Sequence, residues 1–112
     1  MPLSVEKRTT RQHYSKKITG SALQEKVSKQ LESEGWYVVN LILTNRNGIP
    51  DLMAIKDGIT KFIEIKGSGD RLSSLQRRRI EELRAIGCEV LVVGPDGIIE
   101  DAAVNVHDDL GF

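Results

Sequence analysis

Apolar side chains recur at helical intervals at Leu23, Val27 and Leu31, with Ser21 and Gln24 at capping-box spacing before them and Gly35 as a stop. This predicts a first helix starting at Ser21. Trp36–Leu43 is dense in aromatic and β-branched residues and predicts a strand, followed by a polar loop over Thr44–Gly48. Pro50 then opens a second strand, Asp51–Lys56, at a position where proline is tolerated. Asp57-Gly58 is a strong hairpin signal, and Thr60–Lys66 forms the returning strand. Gly67-Ser68-Gly69-Asp70 breaks the chain. Ser73, with Gln76 completing a second capping box, predicts a helix that Gly87 ends. Glu89–Val93 reads as a fourth strand closed by the turn Gly94-Pro95-Asp96-Gly97, and Ile98–Val106 adds an edge strand or short helix. The order α-β-β-β-α-β describes an α/β domain with a mixed sheet flanked by helices.

The chain has 112 residues, enough for one modest hydrophobic core and too few for two. Residues 21–112 are therefore expected to form a single domain. Residues 1–20 show no apolar period and read as a basic N-terminal arm, with Lys7, Arg8, Arg11, Lys16 and Lys17 against Glu6 alone, a net of 5 − 1 = +4. Sixteen basic residues balance sixteen acidic ones overall, so a case for an anionic partner rests on local clustering and not on bulk charge. Cys88 is the only cysteine, which excludes an internal disulfide and a cysteine-built zinc site and fits a reducing compartment. The N-terminus lacks the apolar stretch of a secretory signal, and no apolar run is long enough to span a bilayer. These features lead to the expectation of a soluble cytoplasmic protein without a membrane partner.

Chemistry concentrates around the predicted hairpin. Alternation along a strand puts Glu64 and Lys66 on one face. With Asp57 and Gly58 as the two loop residues, Lys56 meets Ile59, and counting back along both strands sets Asp51 opposite Glu64. Opposed carboxylates repel unless positive charge lies between or beside them. Lys66 supplies one charge, and a divalent cation would supply two. Hard oxygen ligands at this spacing suit Mg2+ or Mn2+, and the main-chain carbonyl of Ile65 is a candidate further ligand. The competing reading makes Asp51 and Glu64 solvated residues on an exposed sheet face, with Lys66 in a surface ion pair worth little.

Three segments, Gly48-Ile49-Pro50-Asp51-Leu52, Phe62-Ile63-Glu64-Ile65-Lys66-Gly67 and Asp70-Arg71-Leu72-Ser73 with Gln76, resemble the VRR-Nuc family (virus-type replication-repair nucleases) of the PD-(D/E)xK superfamily. The resemblance spans about residues 21–93. It implies a phosphodiesterase acting on DNA, in which Asp51 and Glu64 hold Mg2+, with Mn2+ able to substitute, and Lys66 orients or helps deprotonate the attacking water. Glu25 matches the family's glutamate on the first helix, which makes it an implied metal ligand. Its phase, however, lies off the Leu23/Val27/Leu31 stripe, where an exposed first-turn glutamate is equally natural. Gln76 shares a stripe with Ile80 and Leu83, an unusual place for an amide unless it reaches the site or acts only as a cap. The superfamily often has Gln-x-x-x-Tyr on this helix. Here Ile80 takes the tyrosine's place.

Arg71, Arg77, Arg78 and Arg79 form the strongest local basic cluster and are candidates to grip DNA phosphates. The alternative is a solvated helix face with Arg77–Glu81 and Arg78–Glu82 pairs. Gly67-Ser68-Gly69 lacks the third glycine of a dinucleotide loop, its place being held by Leu72. His13 and His107 have no metal-ligand spacing, and Trp36 and Tyr37 read as core or interface rather than base-stacking platforms. The expected activity is a metal-dependent, structure-selective endodeoxyribonuclease that cuts branched DNA such as Holliday junctions as a homodimer. A phage-encoded enzyme acting inside a host cell fits that expectation. Two alternatives stay open: a less selective nicking or restriction-type nuclease, and a non-catalytic DNA-binding module on the same fold.

Overall fold

Hydroxyl side chains close the first turn of both helices. The computed structural model describes residues 17–99; most of the basic arm, the segment from Glu100 onward, His13 and His107 lie outside the described residues. Helix α1 (Gly20–Ser33) is capped by Thr19, whose Oγ1 accepts from the Ala22 amide at 3.1 Å. The cap thus falls two residues before the expected Ser21, because Thr19 has the extended backbone a cap requires while Ser21 already lies in the helix. Gln24 does not answer Ser21 either. Its Nε2 donates to Asn40 Oδ1 at 3.3 Å.

The next three strands, β1 (Tyr37–Asn40), β2 (Leu52–Lys56) and β3 (Ile59–Ile65), form an antiparallel meander. Asp57 and Gly58 both adopt positive φ, 52° and 79°, as a type I′ turn requires, and Lys56 pairs with Ile59 as expected. Strand β1 is shorter than the expected Trp36–Leu43. After Asn40 one further bond, from the Leu41 amide to the Asp51 carbonyl at 2.9 Å, closes the pairing. Ile42 and Leu43 then leave the sheet, because β2 begins only at Leu52 and no partner backbone faces them. An apolar run is not sufficient for a strand without something to pair with.

Helix α2 (Ser74–Ala85) carries the expected capping box between Ser73 and Gln76 and returns the chain to β4 (Glu89–Gly94), which pairs in parallel with β3. A short edge strand, β5 (Gly97–Ile99), completes a mixed sheet in the order β1-β2-β3-β4-β5. The fold is α/β, as the sequence indicates. Its two faces have separate cores. Leu23 and Leu31 of α1 pack with Leu52, Ala54, Ile63 and Ile65, while Ile80 of α2 packs with Val90, Val92 and Phe62. Alternation along β3 therefore sends Ile63 and Ile65 toward α1, and Phe62 and Glu64 toward α2.

The loop after β3 is pressed against the start of α1. Ser68 accepts and donates across this contact, its Oγ taking the Ile18 amide at 3.1 Å and its own amide reaching the Ile18 carbonyl at 2.9 Å. Ile18, within the stretch assigned to the arm, is thus tied to the body. A Cβ on Gly67 would lie 2.6 Å from the Gly20 nitrogen and 2.8 Å from the Ile18 oxygen, both backbone atoms that cannot yield. Gly67→Ala is accordingly expected to cost about 1–3 kcal/mol of stability, read as a lower midpoint in urea unfolding with an unchanged slope.

Candidate active site

Glu64 is 2% exposed in the middle of the sheet, where an isolated carboxylate is costly. This overturns the reading of a solvated surface glutamate. Asp51 follows the fully buried Pro50 and stands one position before β2, so the hairpin register places it across from Glu64. It is fixed at two points: its carbonyl accepts from Leu41, and its Oδ2 accepts from the Ile65 amide at 2.8 Å. One carboxylate oxygen is thereby held by the main chain, and the other is left to a further partner.

Lys66 stands beside the pair. Its side chain is 12% exposed, and Nζ lies 3.4 Å from Glu64 Oε2. Nζ also donates to Gln76 Oε1 at 2.8 Å and to the Arg71 carbonyl at 3.1 Å. Three acceptors match the three N–H bonds of an ammonium, so the group is fixed in place. Gln76 Oε1 simultaneously accepts from the Ser73 amide at 2.9 Å. The two roles considered for Gln76 therefore coexist: one amide oxygen closes the cap of α2 and orients the lysine.

Burial, and after it the facing Asp51 carboxylate, push the Glu64 carboxyl up to about 7 against the opposing charge and hydrogen bond of Lys66. One ammonium therefore does not neutralise two carboxylates in this setting. The donor set, two hard carboxylates with one buried and under-compensated, fits a divalent cation, which would be held by Asp51 and Glu64. Among the described residues no third acidic, histidine or cysteine side chain joins them into a group able to hold a metal. Glu25 lies apart. It is 70% exposed, pairs with Lys29 at 3.3 Å, and belongs to the helix on the opposite face of the sheet from Glu64.

The arginines divide. Arg79 is committed to structure, its Nε donating to the Asn47 carbonyl at 2.8 Å and its guanidinium pairing with Glu82 at 3.1 Å. The alternative of a salt-bridged helix face pairs Glu82 with Arg78; in the structure it pairs with Arg79. Arg71 and Arg78 are exposed, while Arg77 has a buried Nε without a hydrogen-bond partner. The sequence pattern assigned no separate role to Asp70, whose Oδ2 accepts from the Gly67 amide at 2.9 Å and folds the loop after Lys66 back on itself. The signal was the Gly-x-x-Asp spacing, since Asp side chains commonly close such turns. Trp36 packs on the core, with the Lys61 ammonium 4.3 Å from its ring centre.

The raised carboxyl sets the direction of the pH dependence. Between about 4.5 and about 7 the folded chain holds a proton on Glu64 that the unfolded chain has released, so stability falls as pH rises through that window. In chelator-treated protein the loss is expected to be about 3 kcal/mol at most. Glu64→Gln should remove this slope and unfold at higher denaturant than wild type at pH 8, as measured by urea titrations across pH.

Comparison with known proteins gives the family of the chain. The model of the VRR-NUC domain family matches residues 4–95. A UPF0102 protein of Ruegeria pomeroyi is 32% identical over 93 residues, which cover 80% of this chain and 72% of that protein. A solved VRR-NUC domain structure superposes with a TM-score of 0.61 at 26% identity, covering 85% of this chain and 100% of that one. The chain belongs to the VRR-NUC domain family and is a nuclease domain of the PD-(D/E)xK type.

Proposed function

We propose that this chain is a Mg2+-dependent endonuclease that hydrolyses phosphodiester bonds in DNA and selects branched structures such as Holliday junctions. The observation that carries the metal-dependent chemistry is the buried Glu64 carboxylate, set across from Asp51 and beside a fully hydrogen-bonded Lys66. Asp51 and Glu64 would hold Mg2+ or Mn2+, with the Ile65 carbonyl as a further oxygen. When bound, such a cation polarises a phosphoryl oxygen and lowers the pKa of water. The chain's own contribution is positional. Gln76 and the Arg71 carbonyl aim the Lys66 ammonium, and the N–H that faces Glu64 is the one that would turn to the attacking water once a cation holds that carboxylate, adding positive charge where negative charge grows. Arg71 and Arg78, both exposed, and Arg77 would meet flanking phosphates, with Arg79 bracing the helix to its neighbouring loop.

Selectivity for branched DNA rests on the family resemblance and on size. A homodimer would present two sites to a four-way junction, and a chain of 112 residues gains footprint by pairing. No helix among the described residues is long and apolar enough to cross a membrane.

Lys66→Ala is expected to slow junction cleavage by at least about 100-fold while leaving junction affinity within a few-fold, read by gel cleavage and anisotropy. A panel of four-way, flap and linear duplex DNA at one salt concentration separates the readings. Equal cutting of all three would identify a less selective nuclease, and binding without cutting in Mg2+ would identify a non-catalytic module. The ligand set has its own test in calorimetric Mg2+ titration. Asp51→Asn should weaken binding by at least about tenfold, whereas Glu25→Gln should change it by less than about threefold.

A further inference from the structure

We infer that Ile42 and Leu43 form a wedge that inserts against DNA bases at a break in the stack, opening the duplex beside the scissile phosphate. The inference rests on the DNA nuclease reading and extends it to how the substrate is recognised. These two residues are 86% and 93% exposed, the most exposed large hydrophobic side chains among the described residues. They are adjacent and belong to the loop that delivers Asp51. The Leu41 amide bonds the Asp51 main-chain carbonyl, so the wedge begins one residue from a backbone contact with Asp51.

The loop is braced. Thr44 Oγ1 accepts from the Arg46 amide at 3.2 Å and donates to the Arg46 carbonyl at 3.0 Å, and Arg79 holds the Asn47 carbonyl from α2. An apolar tip on a stiff support can transmit force to a base stack, whereas a slack one would fold back onto the protein. Ile and Leu are among the side chains that proteins drive between base steps, partly unstacking and kinking the duplex.

The surroundings favour nucleic acid. From Trp36 to Pro50 there is no acidic residue, and Arg46 with Asn40, Asn45 and Asn47 lies along the same segment. A cation and amide donors in the same loop as a small apolar tip suit phosphates and base edges. A second copy of the chain is a poorer fit. A stable protein interface needs roughly 800 Å² per partner with an apolar centre, and two side chains amid Asn and Arg make a point rather than a patch.

The test places 2-aminopurine at the branch point of a four-way junction and, separately, inside a linear duplex, with Ca2+ replacing Mg2+ during the fluorescence reading. Wild type should raise the branch-point signal several-fold and leave the linear duplex unchanged. The double variant Ile42→Ser, Leu43→Ser should lose the rise while keeping its helical circular dichroism, and Leu43→Phe should retain it. In Mg2+ the double variant should cut the paired junction about tenfold more slowly, and part of that loss should disappear on a junction with mismatches at the branch. If wild type cuts the junction without raising fluorescence, the wedge is wrong and the nuclease reading stands. If wild type neither cuts nor raises fluorescence, both fall. If the double variant sediments at half the mass of wild type, the patch holds a second copy and the wedge is overturned.

Discussion

The buried carboxylate of Glu64, facing Asp51 with a single ammonium beside it, is the constraint around which this domain is organised. A carboxylate removed from water must be compensated or protonated, and here the balance of charges leaves it near the point where it does either at neutral pH. Such a group is a poor choice for stability and a good one for chemistry. Every fixed contact nearby limits how the imbalance can relax. Asp51 is held by the Ile65 amide, and Lys66 is held by Gln76 and the Arg71 carbonyl, so neither side chain can swing away and expose the charge.

The fold supplies this arrangement from three directions. The two-residue turn at Asp57-Gly58 sets the register that brings the start of β2 level with the end of β3. The crossover through α2 covers the face onto which Glu64 projects and lets the helix cap reach Lys66. On the opposite face α1 packs its leucines on Ile63 and Ile65 and abuts the loop at Gly67, fixing the point where the chain leaves β3. The chain belongs to the VRR-NUC domain family, and the charges at this site suit a hard divalent cation.

Much of this was legible in the residues. Strict alternation put Glu64 and Lys66 together, and the positive-φ turn residues fixed the pairing of Lys56 with Ile59, from which the position of Asp51 follows by counting. The capping box at Ser73 and Gln76 was equally visible. What stayed hidden depended on contacts between distant segments. Alternation is the same for a buried and a solvated glutamate, so the burial of Glu64 becomes apparent only once α2 is laid on the sheet. The end of β1 at Asn40 depends on where β2 starts, not on the apolar character of Ile42 and Leu43. Thr19 capped α1 in place of Ser21 because the two hydroxyl residues lie close together, and backbone conformation decided between them. Glu25 resembles a ligand by its place in the family pattern, yet its helix packs on the other side of the sheet and its carboxylate pairs with Lys29.

The most direct test of the central claim is the proton count on cation binding, obtained by titrating Mg2+ into the chain at pH 6 in buffers of different ionisation enthalpy. If the cation is held by Asp51 and Glu64, binding must displace the proton from the buried carboxyl, and release should approach one proton per chain at pH 6 and vanish at pH 9. Glu64→Gln should release none at either pH. Mg2+ binding to wild type with no proton release at pH 6, or no binding at all, would contradict the account.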